Sequence, residues 1–184
     1  MRVALVGDEF PPDIGGVAVY SYQLARALAE LGVEVHFITH WHHGQPMEEN
    51  MGGVSIRRIK GFVLPRFNRA VSPLSFRRLH PVIKHGGYDV VHGLDTYSSL
   101  ACAGLWSARK RRIPSVFTCH TSITFKPIVV VAHAPILRIL RKSNKAIAVS
   151  LPAKKFCMLL GIDESKIVIV PNGVNLKLFN PKRD

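Results

Sequence analysis

Two adjacent glycines, Gly15 and Gly16, stand where an apolar run gives way to a helical pattern. Without Cβ atoms they let the backbone adopt positive φ and let a ligand approach the chain closely. The free N–H groups and the positive dipole end of the new helix favour a phosphate or another anion. The spacing matches neither the dinucleotide-binding nor the P-loop motif. The glycines therefore predict an anion site, with a plain strand-to-helix turn as the alternative.

Two further polar turns follow the ends of predicted strands. His92 is followed closely by Asp95, and residues 120–122 form a His-Thr-Ser corner. Ligands of parallel α/β sheets bind outside the carboxyl ends of the strands, so we expect both turns and the glycine loop to line one pocket. Asp95 or Thr96 could equally act as the cap of the next helix.

Strands and helices alternate along the chain, which predicts a single α/β domain. The expected architecture is a Rossmann-like, doubly wound, mostly parallel sheet with right-handed crossovers. The predicted strands are short apolar runs over residues 3–7, 34–39, 53–59, 88–92, 114–119, 146–149 and 166–170. The predicted helices have apolar residues at helical spacing and cover residues 16–31, 73–85, 96–112, part of 129–142, and 150–160.

Composition excludes several classes of protein. The chain has 184 residues, of which 47% are hydrophobic, enough for a substantial core. No apolar run approaches the ~18 residues of a membrane-spanning helix. Three cysteines lie in apolar surroundings and are expected to be reduced, buried thiols of a cytosolic protein: Cys102, Cys119 and Cys157. Three histidines lack nearby ligands at zinc-binding spacing, so we expect a polar loop at His40, His42 and His43.

Charge is distributed unevenly along the chain. Up to Glu49 there are seven acids and two bases, whereas the remainder carries twenty-three Lys and Arg residues against five acids. Such asymmetry indicates an anionic partner: a phospholipid, a nucleic acid or a phosphorylated substrate. A basic surface without any partner is the alternative.

The predicted helix over residues 73–85 carries Arg77, Arg78 and Lys84, and a basic connection over residues 60–72 precedes it. Together they could lie on an anionic membrane surface, where each cation near the lipid contributes about 1 kcal/mol. A solvated helix face explains the same pattern without a membrane.

Several short motifs occur in the order found in one enzyme family. They comprise Phe-Pro-Pro at 10–12, Gly-Gly-Val at 15–17, His92, and the segments 116–122, 147–150, 168–175 and 179–181. Through them the chain resembles the N-terminal domain of GT-B glycosyltransferases of the retaining family 4 type. The resemblance implies two Rossmann-like domains facing across a cleft. A UDP- or GDP-linked sugar donor would be held mainly by the C-terminal domain, without a cofactor or metal ion.

The resemblance also implies a division of the chain. Residues 1–171 are expected to form the acceptor-side domain, and residues 172–184 the start of the interdomain linker. The C-terminal donor-binding domain would be this chain's main partner and is absent from the sequence. We therefore expect the chain alone not to transfer a sugar.

Site residues follow from the resemblance. His120 matches the histidine that contacts the donor sugar near the reaction centre, where it would orient the sugar and stabilise charge. The Gly15–Gly16 loop would approach the donor diphosphate or the acceptor. The remaining substrate-binding candidates are Phe10, as an aromatic contact to the acceptor, together with Asp95, Thr121, Ser122, Thr124 and Lys126.

Within the family, the chain most resembles enzymes that glycosylate inositol phospholipids. That implies a lipid acceptor and a cytoplasmic protein, peripheral on the cytoplasmic face of the membrane. A member acting on a sugar phosphate, glucan or small metabolite is one alternative, and a basic binding or scaffolding module is another. We expect no nucleic-acid partner, because exposed aromatics do not interleave with the cations and no helix-turn-helix or RNA-binding signature is present.

Overall fold

The structure is a computed structural model that describes residues 1–61, 73–120, 138–174 and 176. Within these residues the chain forms one eight-stranded sheet. The strands, in chain order, are β1 Arg2–Val6, β2 Glu34–His40, β3 Glu48–Met51, β4 Val54–Ile59, β5 Val90–Leu94, β6 Ser115–Cys119, β7 Lys145–Ala148 and β8 Ile167–Ile169. Their spatial order is β3-β4-β2-β1-β5-β6-β7-β8, and all neighbours are parallel except β3 and β4.

Helices connect the strands and cover both faces of the sheet. They are α1 Gly16–Glu30, α2 Pro73–His85, α3 Ser99–Arg111 and α4 Leu151–Leu159, with a short 3-10 turn at Glu164–Lys166. The predicted α/β, doubly wound, mostly parallel fold is confirmed. No helix in the described ranges is long and apolar enough to cross a bilayer.

Alternate residues of β1 pack into two separate cores, because successive side chains of a strand point to opposite faces of the sheet. Leu5 packs with Phe37 of β2 and Ala25 of α1 on one face. Ala4 and Val6 pack on the other face with the buried side chains of α2 and α3. A third core lies beneath α4 at the far end of the sheet.

Two glycines let α3 lie close against the sheet. A Cβ on Gly104 of α3 would lie 3.1 Å from Val6, and one on Gly93 of β5 would lie 3.0 Å from Leu105. Such distances are shorter than ordinary van der Waals contacts, so the close approach depends on the missing side chains. This packing fixes the amino end of α3 beside the ends of β1 and β5.

Most predicted elements are present with bounds within a few residues. The helix predicted over residues 73–85 is α2, and residues 138–140 are helical within the stretch predicted over 129–142. Residues 121–137, like the basic connection over 62–72, lie outside the described residues. The three cysteines are free and buried, as predicted.

The strand β3 was not predicted from the sequence. Glu48–Met51 forms β3, an antiparallel edge strand on β4. Its sequence, Glu-Glu-Asn-Met, lacks the apolar pattern of a strand, and partners from β4 supply the stability instead. The guanidinium of Arg58, only 3% exposed in its side chain, donates to Glu49 and to the Pro46 carbonyl. Arg57 pairs with Glu48 at 3.2 Å.

Candidate active site

The carboxyl ends of β1, β5 and β6 meet at one edge of the sheet. Val6 is paired with Gly93, and Leu94 with Thr118, so the turns after these strands lie side by side. A small cleft opens there between the loop after β1, the start of α1 and the turn after β5. It is lined by Asp8, Glu9, Val17, Leu94, Asp95 and Ser98. The glycine loop after β1 and the turn after β5 therefore lie at one edge of the sheet, as predicted.

The start of α1 presents an open backbone. Its N-cap is Gly15, whose φ of 171° is ordinary extended backbone, so the positive φ considered from the sequence is not used. Gly15 supplies no capping side chain, and the first turn of the helix contains no acid. A Cβ on Gly16 would meet no atom within 4 Å. The space beside Gly16 is therefore open, which suits an anion, whereas a Cβ on Gly15 would lie 3.2 Å from the Glu9 carboxylate.

Asp8 is a site residue that the sequence did not reveal. Its carboxylate accepts hydrogen bonds from the backbone N–H of Ser99 at 3.0 Å and of Leu100 at 3.1 Å. The His40 Nε2 lies 3.1 Å from Asp8 Oδ1, and both side chains are nearly buried. The negative charge at the amino end of α3 is favourable to the helix dipole. Asp8 thus joins the loop after β1 to the start of α3.

Asp95 does not cap α3, contrary to one prediction. Ser98 is the N-cap, and its Oγ accepts from the N–H of Ala101 at 2.9 Å. Asp95 instead has a φ of 71°, a left-handed conformation that is uncommon outside glycine. Its carboxylate accepts from the N–H of Thr96 at 2.8 Å, and the residue is 7% exposed. The strained backbone is found at the cleft itself.

His92 is buried beneath the site. Its Nε2 lies 2.7 Å from the Thr118 hydroxyl oxygen on the neighbouring strand. Burial, and to a smaller extent the proximity of His120, lowers the pKa of His92 to about 4. The imidazole is consequently neutral at pH 7, and its hydrogen bond to Thr118 links the ends of β5 and β6.

His120 immediately follows β6 and is half-buried. Its ring packs edge-on against Tyr20 of α1, with ring centroids 4.3 Å apart. Burial lowers the pKa of His120, and the nearby charge of Asp95 raises it in part. Burial also raises the pKa of Tyr20, opposed by a side-chain hydrogen bond with Thr118. The end of β6 and Tyr20 of α1 therefore hold an imidazole that is neutral at pH 7, with Asp95 nearby.

Phe10 requires a correction. The sequence predicts a contact between its ring and the acceptor, but the side chain is 2% exposed and belongs to the core beneath α1. Its ring packs on Phe37 with centroids 4.1 Å apart and edge-on against Tyr22 at 5.9 Å. The Pro-Pro loop places this aromatic ring inward, so it cannot stack on a substrate in this structure.

Other predicted residues lie apart from the site. The four candidates Thr121, Ser122, Thr124 and Lys126 fall outside the described residues. Arg77, Arg78 and Lys84 are exposed on α2, opposite its buried Leu79 and Ile83. The separation of the two faces is incomplete, because Leu74 of the same helix is 41% exposed.

The histidine cluster after β2 disperses in the fold. His40 is buried against Asp8, His42 lies 3.8 Å from Asp13, and the His43 ring lies against Trp41. Among the described residues, no three His, Cys, Asp or Glu side chains are grouped as metal ligands.

Comparison with known proteins assigns the family. Residues 14–178 match Glycosyltransferase Family 4. A phosphatidylinositol N-acetylglucosaminyltransferase subunit of Arabidopsis thaliana is 29% identical, covering 98% of this chain and 41% of the relative. D-inositol 3-phosphate glycosyltransferase of Paenarthrobacter aurescens (strain TC1) is 32% identical, covering 92% of this chain and 46% of the relative.

A solved structure shows the same fold at low sequence similarity. The Anabaena protein HepE, determined in complex with UDP-glucose, superposes with a TM-score of 0.69 at 13% identity, covering 97% of this chain and 46% of that one. The chain thus spans less than half the length of these relatives. Its family match covers most of its residues, and the chain belongs to Glycosyltransferase Family 4.

Proposed function

We propose that this chain forms the acceptor-side domain of a retaining glycosyltransferase. The enzyme would move a sugar from a UDP- or GDP-linked donor to an inositol-type phospholipid headgroup at a membrane surface. The observation that carries the proposal is the arrangement at one sheet edge of the start of α1, Asp95 and His120, whose lowered pKa keeps its imidazole neutral at pH 7. Family membership over residues 14–178 supports it.

The start of α1 would receive negative charge. The first N–H groups of the helix and its dipole favour the donor diphosphate or a phosphate of the acceptor. Gly16 suits this role because it has no side chain and open space lies beside it. Asp8 supports the same edge by holding the neighbouring loop against α3.

His120 would position the donor sugar. A neutral imidazole has one donor and one acceptor nitrogen, so it can hydrogen-bond sugar hydroxyls without the cost of a buried charge. Tyr20 packs against one side of the ring and limits its orientation. We assign His120 to orientation and to stabilisation of charge as the donor bond breaks, and not to nucleophilic attack. The leaving phosphate would assist removal of the acceptor proton.

The remaining parts of the reaction belong to a second domain. The donor nucleotide would bind mainly there, and transfer would need no bound metal ion or cofactor. Residues 1–171 would form the acceptor side and residues 172–184 the beginning of the linker. Activity is therefore proposed for the whole enzyme and not for this chain by itself.

A phospholipid acceptor is supported by two independent points. The name of the Arabidopsis relative includes phosphatidylinositol. Arg77, Arg78 and Lys84 form an exposed basic face on α2 whose opposite side is buried, as in a helix that rests on an anionic surface. Such a protein would be peripheral on the cytoplasmic face of the membrane.

A water-soluble inositol phosphate is the second candidate acceptor. The Paenarthrobacter relative is named for D-inositol 3-phosphate, and its identity to this chain is 32%. Both candidates share an inositol ring and a phosphate, so the same edge of the sheet could serve either one.

The test uses the whole enzyme that contains this domain, incubated with labelled UDP- and GDP-sugars. One set of reactions contains phosphatidylinositol vesicles and the other contains inositol 3-phosphate. Label entering the organic phase, and lost in His120→Ala, would support the lipid acceptor. Label confined to a water-soluble product would transfer the assignment to inositol phosphate. No transfer from any donor to either acceptor would refute the proposed function.

A further inference from the structure

A basic cleft lies at the edge of the sheet opposite the candidate active site. Helix α3 begins beside Asp8 at the carboxyl edge and ends at Arg111, about 20 Å away at 1.5 Å per residue. At that far end a cleft of about 360 Å³ opens between the last turns of α3 and residues 138–142. Its lining includes Trp106 and five cations: Arg109, Lys110, Arg112, Arg138 and Lys142.

Positive charge in this cleft is uncompensated within the described part of the chain. All five cations are exposed, and no acid lines the cleft. None of the five forms an ion pair with a described residue. By contrast, Arg2, Arg26 and Arg57 each have a carboxylate within 3.2 Å.

Helix dipoles explain only part of this arrangement. Cations are favourable at the carboxyl end of a helix, which accounts for Arg109 and Lys110 near the end of α3. The dipole of α3 does not explain why the cations of residues 138–142 face those of α3 across the cleft, since like charges at short range repel. An anion with two or more charges would relieve that repulsion.

Trp106 gives the cleft an apolar wall. Its ring packs edge-on against Phe76 and His80 of α2, with centroids 5.7 and 5.3 Å away. The Lys110 ammonium lies 5.7 Å from the ring centroid, so the indole also orients one of the cations. A second cleft adjoins the first, shares Arg109, Arg112 and Lys142, and adds the polar Ser115 and Asn144.

We propose that this basic cleft binds a phosphate-bearing anion with at least two negative charges. Guanidinium groups from two segments can each donate paired hydrogen bonds to phosphate oxygens. The ligand would be either a phosphorylated lipid headgroup or a soluble polyphosphate. The cleft is separate from the active site, so the inference does not depend on the proposed sugar transfer.

The test compares two variants of this chain with equal change in charge. One replaces three cleft cations (Arg109→Gln, Arg138→Gln, Lys142→Gln). The matched control replaces three cations outside it (Arg26→Gln, Arg57→Gln, Lys155→Gln). Binding is measured by calorimetry with pyrophosphate and inositol hexakisphosphate, and by flotation with phosphatidylcholine vesicles with and without phosphatidylinositol 4-phosphate. Double-stranded DNA serves as an unrelated polyanion.

The cleft variant should bind about a hundredfold more weakly than wild type, since each cation contributes about fivefold near an anionic surface. The control should remain within about threefold. Loss of soluble-anion binding alone identifies a soluble ligand, and loss of vesicle binding alone identifies a lipid headgroup. Equal losses in both variants, no binding to any phosphate probe, or binding to DNA alone would overturn the proposal.

Discussion

Replacing Asp8 tests whether one carboxylate joins the loop after β1 to α3. Asp8 accepts two backbone hydrogen bonds, from Ser99 and Leu100, which are 3% and 0% exposed. In Asp8→Ala neither N–H group would readily find water, and a buried unsatisfied donor costs about 1–3 kcal/mol. We therefore expect the free energy of unfolding to fall by about 2–5 kcal/mol.

Asp8→Asn separates geometry from charge. The amide oxygen can still accept one of the two hydrogen bonds, but the favourable charge at the helix start is lost. We expect this variant to lose about 1–2 kcal/mol. Asp13→Ala is the matched control in the same loop: Asp13 accepts one 3.2 Å bond from the N–H of Phe10 and its side chain is 33% exposed. Its expected loss is about 1 kcal/mol or less.

Urea unfolding followed by circular dichroism at pH 7 measures these differences, with the m-value checked for each variant. The expected order of stability is wild type, Asp13→Ala, Asp8→Asn and Asp8→Ala. If Asp8→Ala were no less stable than Asp13→Ala, then Asp8 would not hold the amino end of α3, and the account of the site's support would be wrong.

Three further predictions concern the residues around the site. Phe10→Ala should lower the free energy of unfolding by about 3–5 kcal/mol, whereas Phe10→Leu should keep most of the stability. Phe10→Leu should also leave the acceptor KM of the whole enzyme unchanged. A tenfold rise in that KM would instead place Phe10 in the acceptor site. His92 stays neutral in the fold while the unfolded chain takes up a proton, so lowering the pH from 6.5 to about 4 should cost about 3 kcal/mol of stability. His92→Gln should lack that part of the pH dependence. If this variant lost as much stability in acid as wild type, His92 would not be the group responsible. Tyr20→Ala should raise the pKa of His120 toward 6.5 by exposing the ring, as measured by NMR titration, whereas Tyr20→Phe should leave it low; an unchanged His120 pKa in Tyr20→Ala would show that Tyr20 does not shield it.

Local patterns were sufficient for most of the fold. Apolar periodicity predicted α2 over residues 73–85 because Leu79 and Ile83 recur on one buried face. Short apolar runs predicted the parallel strands, and the alternation of elements predicted the doubly wound sheet. The position of the candidate site at one edge rests on a general property of parallel sheets and stays a prediction.

What the sequence did not reveal depends on contacts between distant residues. The start of α3 is held by Asp8, 91 residues before Ser99, and nearby Asp95 suggested a cap that it does not supply. β3 exists because β4 offers it hydrogen-bonding groups and cations, not because its own residues favour a strand. Phe10 was a candidate ligand contact through the family resemblance, and only the packing shows it in the core.

The central position of β1 has a consequence for the order of assembly during translation. The hydrogen bond from the Arg2 N–H to Asp89 spans 87 residues, and β1 and β5 pair across a similar interval. At about 5–20 residues per second, the ribosome needs roughly 4–17 s to make that interval. During this time β1 can pair with β2, but the other edge of β1 has no partner strand. Ala4, Leu5 and Val6 of β1 are completely buried in the finished fold. The nascent chain is thus expected to depend on chaperones until β5 emerges, and slowing elongation before residue 90 should increase its aggregation.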